Sequence, residues 1–113
     1  MAQPVIHFEI AGPDGDALKA FYAQGFGWAI DSDNPVNYGM VAAEGDGIGG
    51  GIGQEDAPLA TFYVAVPDPA AALEKLVALG AKVVMPPQDV PGGPTIARFA
   101  DPAGNVIGLV KPQ

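Results

Sequence analysis

The feature of this sequence that most constrains its fold is an order of elements that occurs twice. Each half reads as a strand, a helix and three further strands, and the turn Pro13-Asp14 before the first helix returns as Pro67-Asp68 before the second. Helical residues of the two halves match at one constant offset: Leu18, Phe21, Tyr22 and Gly25 match Leu73, Leu76, Val77 and Gly80. This pattern indicates an internal duplication.

Periodicity within each half assigns the elements. Residues 5–11 alternate between apolar and polar, which is typical of a half-buried strand, and residues 17–26 and 69–79 have apolar residues at helical spacing. We therefore predict an α+β fold of two βαβββ modules, residues 1–56 and 57–113 of one domain, forming a curled mixed sheet with a cleft and with the helices on the outer face. Further strands are predicted at residues 28–31, 36–42, 47–53, 59–66, 82–85, 95–100 and 105–110.

The composition excludes several classes of function. The chain of 113 residues has no cysteine, which excludes disulfides, thiolate metal sites and cysteine nucleophiles. Thirteen acidic and five scattered basic residues give a net charge of −8, which disfavours nucleic acid as a partner. Apolar runs fall short of the roughly 20 residues of a membrane span, and the first residues do not resemble a secretion signal. We expect a cytoplasmic protein with neither nucleic acid nor membrane as partner.

Four segments resemble the vicinal-oxygen-chelate superfamily, which includes glyoxalase I, bleomycin-resistance proteins and extradiol dioxygenases. These segments are residues 7–10, 21–28, 71–80 and 99–109, and the match covers nearly the whole chain. The last segment contains the block Asp101-Pro102-Ala103-Gly104-Asn105. The subgroup that the chain resembles most is a set of small single-domain glyoxalase-related proteins with no agreed substrate, so the resemblance implies the fold more strongly than the function.

The resemblance implies a metal site with one ligand from each of four strands. His7 stands where the first-strand histidine ligand stands, but the matching position of the second half is Thr61, and the last-strand glutamate falls on Gly108. The remaining ligand belongs to the strand at residues 47–53, which contains only Gly and Ile. Since metal sites generally need three or four protein ligands, we expect no cofactor. The alternative is a divalent metal held by His7 and Glu9 with a group from a partner or the substrate.

His7 and Glu9 share the polar face of the first strand, about 6.5–7 Å apart. An inward-facing carboxylate is costly unless it is paired, hydrated or protonated, and together the two side chains can form a proton-transfer pair. The alternative for His7 is a histidine that lines the cleft without a chemical role. Candidates for ligand binding or oxyanion stabilisation are Thr61, Tyr63, Tyr38 and Arg98, with Gly50 and Gly108 where the backbone can approach a ligand. For Arg98, a surface ion pair is an equal alternative.

Three functions remain open at this stage. The first is a protein that binds a small organic ligand in the cleft without chemistry, as the drug-resistance members of the superfamily do, with a cation favoured by the negative charge. The second is a small lyase or isomerase that uses His7 and Glu9 in acid–base chemistry. A metal-dependent enzyme of the glyoxalase or dioxygenase type is a third reading. The resemblance also implies a homodimer.

Two further patterns have simpler explanations. Gly45, Gly47 and Gly50 formally match the dinucleotide-binding fingerprint, but we reject it because a strand follows where a helix would have to begin. The aromatic residues Phe21, Tyr22 and Trp28 are predicted to lie in the core, where the first helix meets the sheet.

Overall fold

The structure, a computed structural model, describes residues 2–113 as eight strands and two helices. The helices are α1 (Gly15–Phe26) and α2 (Pro69–Ala78). The strands are β1 (Val5–Gly12), β2 (Ile30–Asp31), β3 (Gly39–Val41), β4 (Gly50–Gln54), β5 (Leu59–Ala65), β6 (Lys82–Asp89), β7 (Thr95–Ala100) and β8 (Val106–Lys111). No helix within residues 2–113 has the length and apolar character needed to span a membrane.

The chain divides into two compact units, each with the same topology. The N-terminal unit comprises residues 6–61, and the C-terminal unit comprises residues 62–113 with the segment up to Val5. In the N-terminal unit the strand order is β2-β3-β4-β1, with β1 and β4 parallel and the other pairs antiparallel. In the C-terminal unit the order is β5-β8-β7-β6, with β5 and β8 parallel. The predicted α+β class and the βαβββ repeat are confirmed.

Both helices begin at the aspartates of the repeated turn. The Asp14 side chain accepts a hydrogen bond from the N–H of Ala17 at 3.1 Å, and the Asp68 side chain accepts two from the first turn of α2. Pro69 follows Asp68 at the first helical position, where its missing N–H costs nothing. The duplicated turn is therefore a helix N-cap in both units.

The core of the C-terminal unit lies between α2 and its sheet, and consists of Val66, Leu73, Ala81, Ala97, Phe99 and Leu109. In the N-terminal unit the prediction of a core position for Phe21 is wrong, because this side chain is 66% exposed. Tyr22 instead stacks on Trp28, with ring centroids 5.2 Å apart, and Trp28 packs against Phe8 of β1. The aromatic contact between α1 and the sheet is therefore made by Tyr22 and Trp28 rather than by Phe21.

The block at residues 101–105 forms the connection between β7 and β8. Asp101 Oδ1 accepts hydrogen bonds from the backbone N–H groups of Ala103 and Asn105, and its Oδ2 accepts one from the Asn105 side chain, each at 2.9 Å. These bonds, with that of the Asn105 side chain foremost, lower the pKa of the exposed Asp101 carboxyl. The motif that carries much of the family resemblance therefore stabilises a turn.

Candidate functional site

The candidate site of the N-terminal unit is built on β1, where successive side chains face opposite sides of the sheet. His7 and Glu9 share one face. In the parallel ladder with β4, Glu9 is the partner of Gly51, and Phe8 is the partner of Gly50. Gly51 therefore lies beside Glu9 on the polar face, whereas Gly50 lies on the opposite face, where the ring of Phe8 fills the space that a Cβ would need.

Tyr38 connects His7 to Glu9. Its hydroxyl donates a hydrogen bond to Glu9 Oε1 at 2.9 Å and lies 2.8 Å from His7 Nε2, and the rings of Tyr38 and His7 stack with centroids 6.0 Å apart. Glu9 is 7% exposed. Among the described residues 2–113, it is the one charged residue that is buried. These three residues form what we call the His7–Tyr38–Glu9 chain.

The hydrogen bonds of this chain assign the tautomer of His7. A phenol has one proton, and Tyr38 donates it to Glu9, so the Tyr38 oxygen must accept from a proton on His7 Nε2. The lone pair of a neutral His7 is then on Nδ1. A proton added at Nδ1 would give an imidazolium that the Glu9 carboxylate stabilises through Tyr38.

We expect the protein to lose stability as the pH falls below about 6.5, the ordinary value for histidine. His7 is the chain's one histidine, and burial lowers its pKa in the folded state. The unfolded chain therefore binds this proton more readily than the folded chain does. The stability that neutral His7 contributes is present in full above the pKa of the unfolded state, and it is lost as the pH falls through the pKa of the folded state. Urea unfolding between about pH 7.5 and about pH 5.5 measures this effect. In a His7→Gln variant the free energy of unfolding should depend less on pH. An equal pH dependence in the variant and the wild type would contradict a lowered pKa of His7 in the folded state.

A glycine on a neighbouring strand lies beneath the ring of each candidate tyrosine. A Cβ at Gly51 would overlap the ring of Tyr38. In the C-terminal unit Gly108 is the ladder partner of Tyr63, and a Cβ at Gly108 would overlap the Tyr63 ring. Glycine in a strand commonly marks such a close approach, so these two glycines are required by the rings that cover them.

The remaining candidate residues lie on β5, β7 and β8. Tyr63 is 3% exposed, and its hydroxyl accepts hydrogen bonds from Nε and Nη2 of Arg98, both at 3.2 Å. Arg98 and Thr61 are half-buried, and Gly108 is buried. The structure thus brings Tyr63, Arg98 and Gly108 together within the C-terminal unit, and their role in ligand binding stays a prediction.

The positions that the resemblance assigns to metal ligands do not form a donor set for a divalent ion. His7 offers one imidazole and Thr61 a neutral hydroxyl, and Gly108 has no side chain. In the strand that should supply the remaining ligand, Gly51 is the ladder partner of Glu9 and likewise has no side chain. In the part of the chain that the structure describes, no group of three or more His, Cys, Asp or Glu side chains is arranged to hold a metal. The residues present therefore do not fit the metal of the superfamily.

Comparison with known proteins establishes the family. The family model of the Glyoxalase/Bleomycin resistance protein/Dioxygenase superfamily matches residues 5–109. The chain belongs to this superfamily, as the sequence resemblance predicted.

Two kinds of curated relative share about a third of the aligned residues. "Putative glyoxylase CFP32" of Mycobacterium bovis and Mycobacterium tuberculosis is 33% identical over an alignment 107 residues long, and the alignment covers 85% of this chain and 41% of the relative. "Anthracycline biosynthesis protein DnrV" of Streptomyces peucetius is 32% identical over an alignment 122 residues long, and the alignment covers 90% of this chain and 44% of the relative. The chain thus spans less than half the length of these relatives.

Solved structures with the same fold include methylmalonyl-CoA epimerases. The enzyme of Mycobacterium tuberculosis superposes with a TM-score of 0.68 at 19% identity, covering 96% of this chain and 87% of the epimerase. The enzyme of Streptomyces coelicolor superposes with a TM-score of 0.67 at 19% identity, covering 99% of both chains. At this level of identity the likeness shows the fold alone.

Proposed function

We propose that this domain binds a small organic ligand at the His7–Tyr38–Glu9 chain, without the divalent metal of its superfamily. The observation that carries the proposal is the buried Glu9 carboxylate, which is hydrogen-bonded to Tyr38 and through it to His7. Burial of a carboxylate is costly, and polar groups that converge within an apolar surrounding are typical of ligand sites. Gly51, the ladder partner of Glu9, has no side chain that could bind a metal.

The distribution of charge favours a cationic ligand. Residues 6–61 hold nine of the thirteen acidic side chains and one of the five basic ones, so the N-terminal unit carries the whole net charge of −8. The one basic residue of this unit is Lys19, and its Nζ lies 3.4 Å from Oδ1 of Asp16. A field of a single sign raises the local concentration of the opposite charge and speeds its association. The unit that contains the candidate site is therefore suited to a cation.

A matched pair of small probes tests this proposal. We expect phenyltrimethylammonium to perturb the NMR resonances of Tyr38 and Gly51 more strongly than its neutral isostere tert-butylbenzene does. Glu9→Gln should weaken binding of the cation by roughly tenfold, which corresponds to about 1.4 kcal/mol. Glu44→Gln is the control, since it removes the same charge from an exposed position of the same unit. Equal binding of the two probes, or equal effects of the two variants, would contradict the proposal.

A second candidate function is acid–base catalysis of the lyase or isomerase type. The observation that favours it is the lowered pKa of His7 beside a carboxylate that can stabilise the imidazolium through Tyr38. His7→Ala and Glu9→Gln separate the two functions once a ligand is known. A binding protein should lose affinity in both variants, whereas an enzyme should keep binding and lose turnover.

We also propose that the chain forms a homodimer. The curated relatives have more than twice its length, which leaves room for a second domain of this size. The charge distribution favours association through the neutral C-terminal unit, because contact between two N-terminal units would bring like charges together. Sedimentation equilibrium at micromolar concentration should give twice the chain mass of 11.4 kDa. A mass equal to that of one chain would contradict this.

A further inference from the structure

Tyr38 lies in the connection between β2 and β3, so no regular strand determines where its side chain points. The carboxamide of Asn34 provides the missing constraint. Its Oδ1 accepts hydrogen bonds from the backbone N–H of Val36 at 3.3 Å and of Tyr38 at 2.9 Å, and its Nδ2 donates to the Tyr38 carbonyl at 2.6 Å. Both backbone polar groups of Tyr38 are thus held by one side chain.

The same connection is anchored to α1 by a second set of contacts. Lys19 Nζ donates a hydrogen bond to the carbonyl of Asn37 at 2.7 Å, and the Lys19 side chain is 13% exposed. Asn37 has φ 54° and is the non-glycine residue with positive φ among residues 2–113. Backbone in this region is sparsely populated and persists where the surroundings determine it. The anchor at Lys19 therefore fixes the residue immediately before Tyr38.

We propose that Asn34 is the positioning residue of the candidate site, which places the Tyr38 hydroxyl between His7 and Glu9. The placement of Tyr38 by Asn34 is inferred from the hydrogen bonds above. The importance of this placement for ligand binding rests on the proposed function. The hydrogen bonds of the Asn34 side chain described above go to the backbone of Val36 and Tyr38, not to His7 or Glu9. Asn34 therefore acts on the site through Tyr38.

The chemistry of the carboxamide explains why asparagine suits this position. The Tyr38 backbone offers one donor and one acceptor, and asparagine has both an acceptor oxygen and donor hydrogens on a short side chain. Aspartate would keep the two bonds that Oδ1 accepts, but it would set a carboxylate oxygen against the Tyr38 carbonyl. Alanine would remove all three bonds. The two substitutions therefore form a graded series.

The titration of His7, followed by NMR in the full chain, tests this inference together with probe binding. In Asn34→Ala we expect the Tyr38 ring to leave the imidazole. The His7 pKa should then rise towards the ordinary histidine value, and the ring-current shift of the His7 protons should be lost. Binding of phenyltrimethylammonium should weaken by roughly tenfold. Asn34→Asp should give a smaller change in each readout, and it serves as the test variant if Asn34→Ala does not fold.

Asn105→Ala is the matched control, because it removes the side-chain hydrogen bond of an asparagine in a turn of the C-terminal unit. It should lower the melting temperature without changing the His7 titration. In the double variant Asn34→Ala/Tyr38→Phe, the effects on His7 should be non-additive if Asn34 acts through Tyr38. An unchanged His7 titration and ring-current shift in the Asn34 variants, or additive effects, would overturn the inference. A changed titration with no probe binding in the wild type would retain the positioning role and reject the proposed function.

Discussion

Replacement of Gly51 by alanine should destabilise the N-terminal unit by about 1–3 kcal/mol, the usual cost of overpacking, and break the His7–Tyr38–Glu9 chain. The new Cβ would overlap the ring of Tyr38, which is rigid and held at its backbone by Asn34. The ring must therefore leave its place over β4, and its hydroxyl then loses Glu9. Urea unfolding measures the loss of stability, and the His7 titration measures the loss of the chain.

Gly53 provides the matched control for this prediction. It lies two residues along β4 on the same face, but a Cβ there would lie 3.4 Å from the Tyr38 ring, which is an ordinary contact. Gly53→Ala should therefore change stability little. Gly51→Ala combined with Tyr38→Ala should also cost less than the sum of the two single changes, because removal of the ring makes room for the Cβ. Equal effects of the alanines at positions 51 and 53 would contradict the packing described here.

Tyr38→Phe should destabilise the protein by about 1.5–3 kcal/mol, the range for hydrogen bonds to charged groups. The substitution keeps the ring over Gly51 and removes only the hydroxyl that bonds Glu9 and His7. Binding of phenyltrimethylammonium should weaken in the same variant, because Glu9 and His7 lose the group that connects them.

Tyr22→Phe is the control for the loss of a phenol hydroxyl. The Tyr22 ring stacks on Trp28, and its hydroxyl makes no hydrogen bond within residues 2–113. Its removal should leave both stability and the His7 titration close to those of the wild type. A Tyr38→Phe variant as stable as Tyr22→Phe, with an unchanged His7 titration, would show that the hydroxyl has no structural role.

Much of the fold could be predicted because its elements have strong local signals. The strand predicted at residues 95–100 has the same bounds as β7, because Gly92-Gly93-Pro94 before it and Asp101-Pro102 after it mark turns. α2 was predicted to within one residue, because Asp68 and Pro69 mark its start. The strands predicted at residues 28–31 and 36–42 are shorter in the structure, where they are Ile30–Asp31 and Gly39–Val41. The strand predicted at residues 82–85 is longer, since β6 runs on through Pro86 and Pro87 to Asp89. Proline is tolerated there because β6 lies at the edge of its sheet.

The candidate site could be predicted only in part. Strand alternation placed His7 and Glu9 on one face. The bridging role of Tyr38 was missed because the strand predicted at residues 36–42 is only Gly39–Val41 in the structure, so Tyr38 lies in the connection before it. Gly51 was missed because a strand of Gly and Ile has no alternation from which to read its faces, and its position follows from the ladder with β1. The dipeptide Asn34-Pro35 was a turn signal, and a side chain that hydrogen-bonds the backbone two residues later is a known property of asparagine in turns.

The measurement that tests the central claim most directly is the metal content of the protein purified without chelators. It is paired with melting curves in nickel, zinc, manganese and iron(II), because an ion that binds the folded state specifically raises the melting temperature by mass action. If Tyr38, rather than a metal, connects the polar groups of the site, the metal content should lie far below one ion per chain and no ion should raise the melting temperature specifically. A near-stoichiometric metal that is lost in His7→Ala would contradict this expectation.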